Sequence, residues 1–241
     1  LAARSNVFHT MLLGNFSEAT KDVIKIGYRG SVLKAVVEYI FTDTAGLLQD
    51  IPKKAAREVS FDDIGGIQGL VELTGAASYF DLPLLCEKAF NTVAQSLENV
   101  PSLSLAALEA YRQDGQSVPS LEDLVMAYIS SGVIKEVNTN VVAKLSPSVL
   151  EEVLKRKDTQ IDEYLLFEIL ALWANSSSVV SGLPDLPDRH AVASDLTKHI
   201  HLKWIDTKVL STTVTESGLV SHDQLMQAYK EQALMAQGKD S

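Results

Sequence analysis

Apolar residues recur every three to four positions through most of this chain, and that spacing limits what it can fold into. The clearest case follows Asp162, where an apolar stripe runs from Leu165 to Trp173 on one side of a predicted helix. Such a stripe must pack against a core. Beyond Pro101 the spacing predicts short antiparallel helices at 103–111, 121–129, 138–145, 148–155, 162–174 and 190–199, with a last helix at about 221–235.

The sequence also predicts that the N-terminal part of the chain is mainly helical. Ser31 is the expected N-cap of a helix that ends at Phe41, and a Ser-Phe-Asp-Asp sequence at Ser60 opens a helix that runs to about Tyr79. Pro83 then lies in the first turn of a further helix, where its missing N–H costs nothing. Strand signals are confined to 23–26, 58–61 and 133–137. We therefore expect a mainly α protein with few short strands.

The composition is that of a globular protein rather than a disordered or fibrous one. Of the 241 residues, 46% are hydrophobic and 22% are charged. Lys and Arg number 21 against 31 Asp and Glu, and the net charge of −10 argues against nucleic acid as a partner, because binding to phosphates relies on clustered cations. No apolar stretch reaches the roughly 20 residues that span a bilayer, so we expect no membrane segment.

Cys86 is the single cysteine, so no disulfide can form within the chain. This usage is typical of a reducing compartment, and the cytoplasm or the nucleus is the expected location. The predicted helix places Cys86 on its apolar side, where a free thiol acts as a small hydrophobic group more often than as a reactive one.

Three motifs contain residues that could carry chemistry, and each also has a simpler structural interpretation. The glycine cluster at 65–69 lacks the preceding strand and the Lys-Ser/Thr pair of a phosphate site, so we expect it to serve helix packing. His199 and His201 could bind a metal, but no third ligand lies nearby in the sequence. Adjacent residues such as 221–223 (Ser-His-Asp) cannot align as a catalytic triad, and we expect a helix N-cap there. We predict no enzyme activity, no cofactor and no metal.

Several segments resemble one known family. Residues 1–18, which contain the sequences LAARS and VFHTML, resemble the middle of a BTB (POZ) domain. Residues 32–42, with EYIFT, and residues 70–90, with LPLLCEKAF, resemble its later helices. Residues 99–174 resemble a BACK domain, the helical extension of many BTB proteins, through LSPSVLEEVL and EYLLFEILALWAN.

This resemblance implies a domain organisation. Residues 1–98 are expected to form a BTB α/β domain that lacks its first strands and most of its first helix. Residues 99–236 are expected to form an all-α BACK array of helical hairpins, and residues 237–241 form a tail. Because the chain starts at Leu1 rather than at a methionine, we expect a fragment of a longer protein.

The resemblance also implies a function. In BTB adaptors a hydrophobic-x-Glu motif contacts a cullin scaffold, and Phe16, Ser17 and Glu18 match it in residue type and position. Phe16 would anchor in an apolar pocket while Glu18 orients the complex, and the first BACK helices at 103–129 would extend the contact. The alternative is that Phe16 is a core residue and Glu18 a solvated charge.

We therefore expect a non-enzymatic protein–protein interaction adaptor of a cullin-RING ubiquitin ligase. It would be a homodimer in the full-length protein and would hold its ubiquitination substrate through a module outside this chain. The competing function is BTB-mediated oligomerisation as a structural scaffold, without a ligase role. Dependence of cullin binding on Phe16 and Glu18 separates the two.

Overall fold

The computed structural model describes residues 1–14, 24–49, 61–114, 118–135, 138–156, 160–176 and 188–237. These residues are mainly helical, in agreement with the sequence prediction. Contacts divide the chain into two compact units, Leu1–Tyr128 (unit 1) and Ile129–Ser241 (unit 2). The division by contacts therefore falls later than 98/99, the boundary that the resemblance implies, because α5 (Leu103–Asp114) packs on α3 (Phe61–Tyr79).

Unit 1 is built around α3. Its other helices are α1 (Asn6–Leu13), α2 (Gly30–Thr42), α4 (Pro83–Asn99), α5 and the start of α6 (Pro119–Ser130), with a 3₁₀ turn at Gly46–Gln49. Helices α2, α4 and α5 all contact α3, whose residues Ile64, Ile67, Leu70 and Leu73 are fully buried. The predicted end of α3 at Tyr79, and Pro83 in the first turn of α4, are confirmed.

The turn between α3 and α4 follows from the backbone conformation of Asp81. Asp81 adopts the left-handed conformation, with φ of 54°, which stops α3. The N–H of Leu82 then donates to the carbonyl of Ala77 at 2.9 Å, so a backbone group of the last turn is satisfied. Helix α4 follows immediately, because Pro83 needs no N–H partner in a first turn.

Unit 2 contains the end of α6 and six further helices in its described part. These are α7 (Thr139–Val142), α8 (Pro147–Lys155), α9 (Glu163–Asn175), α10 (Arg189–Leu196), α11 (Thr207–Val209), which continues into a π-helical turn at Leu210–Val214, and α12 (His222–Gln237). Short 3₁₀ turns lie at Thr197–His199 and Leu202–Trp204. The segment 207–216 was not predicted as helix.

Side-chain caps set the starts of several helices in unit 2. Ser146, followed by Pro147, is the sequence pattern that predicts the start of α8, as Asp162 predicts the start of α9. Both caps are confirmed: Ser146 accepts from the N–H of Val149, and Asp162 accepts from the N–H of Tyr164. The apolar stripe of α9 is buried, and Trp173 within it is fully inaccessible. Its indole N–H donates to the carbonyl of Leu145 at 2.8 Å, so α9 is joined to the segment before α8.

One prediction for unit 1 needs correction, and the expected strands are not confirmed. Ser31 does not cap α2; that helix begins at Gly30, and Arg29 takes the N-cap position without a side-chain hydrogen bond to the first turn. The described parts of the expected strands, Ile24–Ile26 and residues 133–135, have no regular structure, and Phe61 begins α3. A strand needs a hydrogen-bonded neighbour, and the described residues offer none.

Among the described helices, none combines the length and the apolarity that crossing a bilayer requires.

Candidate partner-binding surface

The predicted motif residues Phe16, Ser17 and Glu18 lie outside the described residues. The described chain on either side of them contributes to one surface of unit 1. Met11 precedes the motif and Ile24 follows it, and both residues line the same depression.

That depression, groove A, is formed by one face of α1, the residues after position 23 and the end of α3. Its volume is about 470 Å³, within the usual range of ligand-sized clefts. Val7, Met11, Ile24 and Tyr79 supply its apolar surface, and Tyr79 is 44% exposed although it is a large aromatic residue. The other described residues that line it are Asn6, Thr10 and Lys25.

Helix α1 is held in place by contacts to the turn after α3. Ser5 caps α1 by accepting from the N–H of Phe8, and its hydroxyl donates to the carbonyl of Phe80 at 2.6 Å. The Phe8 ring stacks on the Phe80 ring. These buried contacts orient α1 so that Val7 and Met11 face groove A.

A second depression, groove B, lies on the other side of the same turn. It has a volume of about 460 Å³ and is lined by Ala77, Leu82, Pro83, Cys86, Phe90 and Val118, with Ser78, Asp81, Glu87 and Ser120 as its polar residues. Val118 directly precedes α6, and Ser120 lies in its first turn. The start of α6 is joined to α5, since Arg112 pairs with Glu122 at 2.7 Å and lowers the pKa of that carboxyl.

Cys86 is half-buried in groove B. Burial raises the pKa of its thiol, which reduces the fraction of reactive thiolate at neutral pH. The thiol therefore contributes apolar surface to groove B, in line with the sequence interpretation, and nucleophilic chemistry is disfavoured there.

The histidine pair of unit 2 contacts two different carboxylates. His201 Nδ1 lies 3.0 Å from Glu163, and the backbone N–H of the same histidine also donates to that carboxylate at 2.9 Å. His199 Nε2 lies 3.6 Å from Glu151. In the part of the chain that the structure describes, no group of three or more His, Cys, Asp or Glu side chains is placed to hold a metal ion.

The other two motifs also have structural roles. The glycine cluster lies inside α3, and a Cβ at buried Gly69 would contact Leu47 at 3.5 Å, so this position packs against the 3₁₀ turn at Gly46–Gln49. Ser221 and Gln224 form a reciprocal cap at the start of α12, with hydrogen bonds of 3.3 and 2.9 Å. The expected N-cap at Ser221 is confirmed.

No protein-family model matches this chain, and no curated protein matches it. The BTB and BACK assignments therefore rest on the resemblance of particular residues.

Sequence reasoning did not single out most of the groove residues. In the sequence, Val7 and Met11 are ordinary apolar positions of a helix, and Tyr79 is an ordinary residue at a helix end. The one available signal was the resemblance of 1–18 to a family that docks a partner next to this helix. The sequence does not show that α1 packs against the turn after α3, and grooves A and B both depend on that contact.

Proposed function

We propose that this chain is a non-enzymatic adaptor that binds a cullin scaffold, with a BTB α/β fold at residues 1–98 and a BACK fold at residues 99–236. The protein acts in the cytoplasm or the nucleus as a homodimer. It brings a ubiquitination substrate, held by a module outside residues 1–241, close to a ubiquitin carrier and so raises its effective concentration.

One observation carries this proposal. Groove A is an apolar cleft lined by residues that precede and follow, in the sequence, the segment that contains Phe16 and Glu18. A partner that takes up Phe16 as an anchor would also contact Val7, Met11 and Tyr79. Binding energy at such surfaces comes from a few buried aromatic and aliphatic anchors with orienting charges around them.

Groove B supports an extension of the contact. It combines residues of the α3–α4 turn with the start of α6, which belongs to the segment that resembles the first BACK helices. A partner that covers both grooves would therefore contact both the BTB and the BACK parts of unit 1.

The test is a calorimetric titration of the full-length protein with the N-terminal region of a cullin from the same organism. We expect submicromolar binding that Phe16→Ala weakens at least tenfold, or about 1.4 kcal/mol, with a measurable loss in Glu18→Ala. Phe41→Ala is the matched control, because Phe41 is 71% exposed on α2 and lies outside both grooves, and it should leave the affinity unchanged.

Two outcomes would reject the proposal. Absence of binding by a folded, dimeric wild type removes the ligase role and leaves oligomerisation as the function. Equal weakening by Phe16→Ala and Phe41→Ala places the contact elsewhere on the protein. Light scattering on each variant establishes that the dimer is intact.

A further inference from the structure

We draw no further inference here: the strongest candidate, the cleft of about 520 Å³ between residues 197–203 and α12 in unit 2, carries nothing, because its lining residues Lys203 and His201 already pair with Glu231 and Glu163 and nothing in the structure shows what would occupy it.

Discussion

Phe8 and Phe80 stack ring on ring, with centroids 4.4 Å apart and planes within 3° of parallel. Both rings are buried. Phe8 belongs to α1 and Phe80 directly follows α3. The stack therefore joins the helix that lines groove A to the turn that lies between groove A and groove B. The shape of the candidate surface therefore depends on a buried contact that no partner would touch.

Replacing Phe8 by alanine should destabilise unit 1 by about 3–5 kcal/mol, because a large buried ring is lost and a cavity remains. Urea denaturation followed by circular dichroism measures this change. Phe41→Ala is the control, since its exposed ring should contribute within about 0.5 kcal/mol. Similar losses in the two variants would contradict the buried position of Phe8.

Two glycines should respond in opposite ways to alanine. Gly65 is exposed within α3 and a Cβ there meets nothing within 4 Å, so Gly65→Ala should raise the free energy of unfolding by about 0.5–1 kcal/mol. Gly132 has φ of +67° and a Cβ there would lie 2.7 Å from the carbonyl oxygen of Gln160. Gly132→Ala should therefore lower that free energy by more than about 1 kcal/mol. Thermal melts of both variants test this, and a shift of the same sign in both would refute it.

The two tryptophans form a matched pair in unit 2. Trp173→Phe removes the donor to the Leu145 carbonyl and leaves a buried acceptor unpaired, which should cost about 1–3 kcal/mol in addition to any cavity. Trp204 is 63% exposed, so Trp204→Phe should change the stability little. Chemical denaturation gives both values, and an equal loss would show that the indole of Trp173 is not buried.

Asp43 should make the stability of unit 1 depend on pH in the acid range. The hydrogen bond from Arg4 lowers the pKa of this carboxyl below its ordinary value of 3.8. A carboxyl with a lowered pKa stabilises the folded state above its unfolded pKa, and this contribution is lost as the pH falls through the folded pKa.

Asp43→Asn is the suitable variant, because asparagine also tolerates the left-handed conformation at φ of 61°. The wild type should be more stable than Asp43→Asn at pH 7, and the difference should shrink as the pH falls below about 4. Denaturation at several pH values measures it. A difference that does not change with pH would rule out the Arg4–Asp43 ion pair as its source.

Much of the secondary structure could be predicted from short stretches of sequence. Asp162 and the stripe that follows it predicted α9, and Ser146-Pro147 predicted α8, because a cap and its helix lie within a few residues of each other. The N-cap of α2 was predicted wrongly at Ser31, because a Ser side chain is a common cap but this helix begins at Gly30 without any side-chain cap. The expected strands are not confirmed in their described parts, and the sequence is a weaker guide there because strand pairing depends on a neighbour that is distant in the chain.

The sequence by itself determined that this protein is mainly helical and where most helices begin, because helical hydrogen bonds and caps join residues three or four positions apart. Only the tertiary structure decided which exposed residues share a surface. Asn6 and Asp81 form a hydrogen bond although they lie 75 positions apart in the chain, and Ser5 and Phe80 form another across the same separation. Such contacts arise from packing of whole helices, and no local pattern in the sequence encodes them.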